Sequence, residues 1–314
     1  MVVAPHPHRV GVLGKTPRHA EFVRHNTASP LAQQLHRWLE EGMARVQRAR
    51  AELPATPHRF VFTAPGQSTA LVGVLTASAD SVGRGFPLVV FTELSVTELA
   101  ERYALLPEAF EPFLRGGSEL VQEAPRFSIP ELLERAALLH PPVPGDFKLA
   151  ERLRGSILSE HSCAELLKPV CADRPPEARY YALHTFLTAC AGEHHREQGL
   201  AQVVLDCPLD GRMGPVAWLE LASRLLRWPS MAPGFLWSEG SRPRLLLCLG
   251  APTSALLLYV AQPDVASSQL WPLRTERTAA LASAKRALTP AQREVLDSST
   301  SSIEQLLRAV ARKV

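Results

Sequence analysis

The stretch Ala79-Asp80-Ser81-Val82-Gly83-Arg84-Gly85-Phe86-Pro87-Leu88-Val89-Val90-Phe91 decides the fold. It joins two apolar runs, Leu71 to Ala77 and Leu88 to Phe91, each of which reads as a strand. Gly83 and Gly85 tolerate positive φ, which a tight or bulged turn needs. Asp80 can hydrogen-bond the backbone two residues on and so start the turn. Pro87 gives up a backbone donor and suits the first residue of a strand. Asp80 and Arg84 share one turn, where a charge-assisted pair pins the tip in preference to meeting a partner. These residues predict a hairpin with a decorated tip, and they specify no reaction.

A second stretch near the N-terminus runs Gly11-Val12-Leu13-Gly14-Lys15-Thr16-Pro17-Arg18-His19-Ala20-Glu21-Phe22-Val23. Val10 to Leu13 is a short apolar run and a first strand. Gly14-Lys15-Thr16 invites a phosphate-loop reading, but that motif needs a second glycine five residues before Gly14, where Arg9 stands. Pro17, Arg18 and His19 then make a poor helix start. The expectation is a turn after the strand, with Lys15 in solvent.

The pattern Asp80-x-x-Gly83-Arg84-x-Phe86-Pro87-Leu88 resembles the second motif of the TagF (ImpM) family, accessory proteins of the bacterial type VI secretion system. The N-terminal stretch resembles the family's first motif, Gly-x-x-Gly-Lys-x-Pro-x-x-Gly-Asp-Phe-Val, with Ala20 and Glu21 standing where the motif has glycine and aspartate. Pro-x-Phe-x-Trp at residues 233–237, and Trp271-Pro272-Leu273 further on, are similar to longer members of the family. The resemblance places motif or partner-binding roles on Gly11, Gly14, Lys15, Pro17, Glu21, Phe22, Asp80, Gly83, Arg84, Phe86 and Pro87. It implies a cytoplasmic, non-enzymatic protein without a cofactor that restrains type VI secretion after translation, by sequestering the forkhead-associated scaffold protein of that system. Motif residues on turns from different parts of a sheet often converge, so Glu21 is expected to join Asp80 and Arg84 if the two motifs meet.

The totals bound these readings. A chain of 314 residues buries a large core and is expected to form two lobes. Lysine and arginine number 34 against 31 acids, a basic excess too small to imply nucleic acid. The five cysteines, Cys163, Cys171, Cys190, Cys207 and Cys248, include no Cys-x-x-Cys pair and read as reduced, mostly buried thiols. Met1 to Val10 has no apolar core of a signal peptide. Leu245 to Ala261 is the longest apolar stretch, but Gly250-Ala251-Pro252-Thr253-Ser254 interrupts it, so a strand, a turn and a helix are expected there instead of membrane insertion.

Along the chain, Ser29-Pro30 opens a helix with Leu31, Leu35, Trp38, Leu39, Met43 and Val46 on one face. Strands follow at Arg59 to Thr63, Ala70 to Thr76 and Leu88 to Phe91, and Ser95 caps a helix with Glu98 as its capping-box acid. Pro107 and Pro112 break the next helical signal, and Gly116-Gly117 ends it. Ser128-Ile129-Pro130-Glu131 opens another helix, and Pro141 to Gly145 reads as a linker. Leu149 to Leu167 and Pro176 to Cys190 read as helices, Ala201 to Asp206 as a strand, and Pro215 to Trp228 as a helix. A second hairpin spans residues 234–249 and a short buried helix follows at Ser254 to Val260. Two tail helices cover Glu276 to Leu288 and Ser299 to Val314, the last with the stripe Ile303, Leu306, Leu307 and Val310 docking on its own lobe. The fold class expected is α/β of the α+β type: a mainly antiparallel sheet flanked by helices, then a largely helical second lobe with a short sheet. The segments expected are a domain over 1–125, a helical connection over 126–200 and an α/β lobe with a helical tail over 201–314.

No nucleophile elbow and no His-x-x-x-His pair with a glutamate occurs. His184, His194 and His195 read as surface or helix-end histidines. Two rival functions stay open: a hydrolase using the His184 to His195 region with Glu193, and a structural adaptor of the secretion baseplate. Oligomeric state is open as well.

Overall fold

The computed structural model describes residues 9–95, 102–193, 203–226, 233–275 and 278–311. Among them, the strands are β1 (Gly11–Gly14), β2 (Val23–His25), β3 (His58–Phe62), β4 (Thr69–Thr76), β5 (Leu88–Ser95), β6 (Val204–Pro208), β7 (Phe235–Ser238), β8 (Arg244–Cys248) and β9 (Leu270–Pro272). The helices are α1 (Pro30–Arg48), α2 (Leu106–Ala109), α3 (Glu111–Glu123), α4 (Ile129–Ala137), α5 (Pro144–Glu160), α6 (Cys163–Cys171), α7 (Ala178–Glu193), α8 (Val216–Leu225), α9 (Ala255–Ala261), α10 (Thr278–Ala287), α11 (Pro290–Asp297) and α12 (Ile303–Val310). The α+β class holds. The helix expected from Ser95 falls on residues 96–101, outside the described residues, as do His194 and His195.

The chain divides into two compact units, each discontinuous in sequence. The first holds the described parts of Met1–Leu99, with Phe110–Val143 and Ala251–Val265. Its strands run antiparallel in the order β2-β1-β5-β4-β3. β4 and β5 pair over eight residues, Thr69 opposite Ser95 through Thr76 opposite Leu88, so the expected hairpin is present. β4 is buried along nearly its whole length, which requires cover on both faces. Trp38 of α1 packs on Phe62 at 5.5 Å between ring centroids, and Phe62 stands opposite Leu71. Gly117 of α3 faces Val74. Leu71 and Val74 point to opposite sides of a strand, so α1 and α3 sandwich the sheet.

Two helix-breaking signals needed a different reading. The structure carries α3 straight through Gly116 and Gly117. A Cβ added at Gly117 would lie 3.2 Å from Val74 Cγ2, and one at Gly116 would lie 2.8 Å from Leu139 Cδ2. Close packing, not helix termination, is what these positions serve. Pro112 sits in the first turn, where its missing N–H costs nothing. Arg59, itself buried on β3, forks onto both oxygens of Glu111 at 2.6 and 3.3 Å and fixes the start of α3. On the other face, Ser29 caps α1 by accepting from Ala32 N at 3.2 Å. Leu31, Leu35, Trp38, Leu39 and Val46 are buried along its inner face. Gly42 completes that face because α9 comes so near that an added Cβ would lie 2.6 Å from Leu257 Cδ1.

The second unit holds the described parts of Ala100–Ala109, Pro144–Gly250 and Ala266–Val314. Its strands lie in the order β7-β8-β6-β9, with β7 and β8 forming the expected second hairpin and β9 parallel to β6. Phe186 stacks on Trp218 at 5.4 Å, and Trp218 Nε1 donates to Pro208 O. The helical stretch expected over Leu149 to Leu167 is split at Ser162, which caps α6 in a reciprocal box with Glu165. The tail holds three helices where two were expected, because Thr289 and Gln292 form a further capping box that opens α11. The stripe Ile303, Leu306, Leu307 and Val310 is buried, as expected of a helix docked at home.

Two helical glycines therefore carry opposite expectations. A Cβ at Gly155 in α5 would meet nothing within 4 Å, so Gly155→Ala stabilises by about 0.5–1 kcal/mol through helix propensity. Gly42→Ala strikes Leu257 and destabilises by roughly 1–3 kcal/mol. Thermal unfolding of the two variants should move in opposite directions.

Candidate functional site

The two N-terminal stretches meet in space. β1 ends at Gly14 with φ 130°, a conformation that glycine alone adopts freely. An added Cβ there would lie 2.0 Å from the carbonyl oxygen of Pro87. The close approach lays residues 15–21 alongside residues 78–86, and three hydrogen bonds stitch the two loops. Ser78 Oγ donates to Lys15 O at 2.8 Å, Ser81 N to His19 O at 3.1 Å, and Arg84 Nη2 to Ala20 O at 3.0 Å. The hairpin tip closes on itself as well. Phe86 N donates to Ser78 O, Asp80 N to Arg84 O and Gly83 N to Asp80 O, at 2.9 to 3.1 Å. Gly83 takes φ 85°, as the turn requires. Gly11 has the complementary task at the start of β1, where an added Cβ would collide with the ring of Phe91.

One carboxylate organises the tip. Asp80 is 4% exposed. Its Oδ1 accepts from Val82 N at 3.1 Å and Arg84 N at 2.9 Å. Its Oδ2 accepts from Arg84 Nε at 2.6 Å and pairs with Lys15 Nζ at 2.9 Å. Burial pushes the Asp80 carboxyl up, but donors from Lys15, Arg84 and Val82 together outweigh it and hold the group well below the usual carboxylate range. Held by four donors, the carboxylate pins the tip. The Asp80–Arg84 pair is as expected. Lys15 is not: its side chain is only 14% exposed, with Nζ on Asp80 and 3.3 Å from Arg84 O. The reason is the carboxylate, which would otherwise be buried with a single cation beside it.

Beside the pin lies an aromatic patch. Phe22 packs edge-on to Phe86 at 4.9 Å, and His36 touches both rings, at 5.2 and 5.9 Å. Arg24 lies over Phe22 at 5.0 Å. Burial first, with Arg24 adding to it against the pull of Glu40, holds the His36 imidazole below its ordinary pKa. An open hollow of about 340 Å³ adjoins His36, lined also by Arg24, Gln33 and Arg37.

Of the residues singled out, Gly11, Gly14, Lys15, Asp80, Gly83, Arg84, Phe22, Phe86 and Pro87 all take part in this joint. Pro17 and Glu21 stay exposed at its rim. Convergence therefore occurs, but through the carbonyl of Ala20 next door and not through the Glu21 side chain. Ser78 and His36 were missed; a serine two residues before a turn-starting aspartate is the only hint of the first, and nothing local marks the second. His184, in the second unit, lines a separate open hollow of about 410 Å³ with Tyr181, Thr185, Thr188 and Trp271. Among the described residues no group of histidine, cysteine or acidic side chains has metal-binding spacing. The cysteines are free thiols, and burial pushes Cys163 up to about 12 and Cys207 and Cys248 well above their ordinary value.

Residues 11–138 match the family model of the TagF N-terminal domain, described as type VI secretion system-associated. The match spans both stitched loops. No curated protein matches the chain. Among solved structures, the crystal structure of PA0076 from Pseudomonas aeruginosa PAO1 is similar with a TM-score of 0.50 and 19% identity, over 84% of this chain and 99% of that one. At that identity the likeness is one of fold. No helix among the described residues is long and apolar enough to cross a membrane.

The depressed pKa of Asp80 carries a pH signature. A carboxyl held low in the folded state contributes stability that is complete above its unfolded value, roughly pH 4, and fades as pH falls below that. Asp80→Asn should therefore lower stability at pH 7, and the gap from wild type should narrow steadily from pH 5 to pH 2. Equilibrium unfolding in that range checks it; a gap constant with pH would contradict the assignment.

Proposed function

We propose that this chain, whose N-terminal part is a type VI secretion-associated TagF domain, restrains type VI secretion after translation by binding and sequestering the forkhead-associated scaffold protein of that system. It acts without a cofactor, in the cytoplasm, and catalyses no reaction. The observation that carries this reading is the stitched pair of motif loops. Three of their ionisable groups are spent on one another, Lys15 and Arg84 on Asp80, and what they hold rigid is an exposed surface. A preorganised surface loses little conformational freedom on association, which favours binding. Catalysis would instead need a titratable group left poised, and Asp80 is held far from that.

The rival adaptor role uses the same surface and differs in consequence. Arg84 serves the pin and stands 63% exposed at its side chain, so reversing its charge disturbs the tip and any contact together. The gene is the cleaner variable. Its deletion should raise type VI secretion, and its overproduction should lower it while the scaffold co-purifies with the full chain. Secretion abolished by the deletion would point to the adaptor role and overturn sequestration.

A further inference from the structure

The hollow beside His36 gathers positive charge that the chain does not neutralise. It opens between β2, the outermost strand of the first unit, and the N-terminal half of α1. Leu13, Arg24, Thr27, Gln33, His36 and Arg37 line it, and among the described residues no acid does. Its volume of about 340 Å³ is within the range of small-ligand pockets. Elsewhere in this unit guanidiniums have partners: Arg59 on Glu111, Arg84 on Asp80 and Arg45 on Ser254 Oγ at 3.0 Å. Among the described residues neither Arg24 nor Arg37 meets an acid, and the nearby Glu40 is turned to His36 at 3.5 Å. Arg24 is nonetheless held in place. It stands opposite Leu13 in the ladder between β1 and β2, and its guanidinium lies over the Phe22 ring at 5.0 Å. That ring is itself fixed against Phe86 at 4.9 Å. A guanidinium seated on a ring still has its N–H donors to offer. Burial holds the His36 imidazole low, and Arg24 adds to it, which marks the same positive field.

We infer that this hollow is a phosphate-binding site in which Arg24 and Arg37 hold one phosphate group between them, with the Thr27 hydroxyl and the Gln33 amide as neutral donors alongside. Two guanidiniums match the charge of a phosphate dianion. Their forked donors also match its several acceptor oxygens, more than one carboxylate presents. Arg24 is already placed by Phe22, so seating the anion there orders little that is free. The hollow is open, and a phosphate can enter it free or carried on a protein side chain; the chemistry recognised is the same. The inference stands apart from the scaffold-binding reading, because neither arginine belongs to the hydrogen bonds that stitch the motif loops.

The test follows the His36 ring by NMR in the full chain, in phosphate and in chloride buffers of equal ionic strength. An anion bound beside the imidazole favours its protonated form, so the His36 pKa should rise by roughly one unit in phosphate alone. His184, in the hollow of the second unit, should not respond. Arg37 is exposed and is not among the groups that set the His36 pKa. Arg37→Gln should therefore keep the melting temperature and the His36 value in chloride, yet weaken phosphate binding about tenfold. A short peptide carrying one phosphoserine separates the two sources: binding tighter than inorganic phosphate assigns the group to a phosphorylated protein, and binding no tighter assigns it to free phosphate. A His36 pKa equal in phosphate and chloride, or a phosphate-induced rise that survives in Arg37→Gln, would overturn the site.

Discussion

The first unit depends on how the Asp80 carboxylate is satisfied. A buried anion is costly unless charges and donors surround it. Here two backbone amides, one guanidinium and one ammonium do so, from three residues: Val82, Arg84 with both its amide and its side chain, and Lys15. Lys15 is the member that turns a local turn into a long-range joint, because it lies 65 residues upstream, at the end of β1. The hairpin between β4 and β5 would form without it. The Lys15 ammonium adds to the hydrogen bonds from Ser78, Ser81 and Arg84 that dock residues 15–21 against that hairpin.

Glycine sets how near the pieces can come. Gly14 lets β1 end against the carbonyl of Pro87, and Gly11 makes room for Phe91 in the middle of the sheet. Further away, Gly42 and Gly117 let α1 meet α9 and α3 meet β4. The positions act in different ways. Gly14 and Gly83 are needed for their positive φ, Gly42 and Gly117 for their lack of a side chain.

Much of this was legible in the sequence, and what was not has a common cause. Local signals read well. Ser29-Pro30 marked α1, the apolar runs marked β4 and β5, Ser128 with Glu131 marked α4, and Asp80 with Arg84 marked the pinned tip. Each depends on neighbours within a few residues. Gly116-Gly117 misled because the same letters serve as a helix stop or as a close contact, and only the sheet behind α3 distinguishes them. Lys15 misled because its partner is remote. Ser78 and His36 were invisible for the same reason: their meaning lies in what packs on them from another strand or helix. Five of the eleven residues that the motif resemblance singled out, Gly11, Gly14, Asp80, Phe86 and Pro87, are buried, which the resemblance did not reveal.

The tip of the hairpin is held rigid by one buried carboxylate, Asp80. Amide hydrogen exchange across residues 79–86 of the free chain tests it most directly. Loop amides normally exchange as if unfolded. The account predicts slow exchange at Asp80, Ser81, Val82, Gly83, Arg84 and Phe86, each of which donates a backbone hydrogen bond. Exchange at the rate of an unstructured peptide over these amides would contradict it.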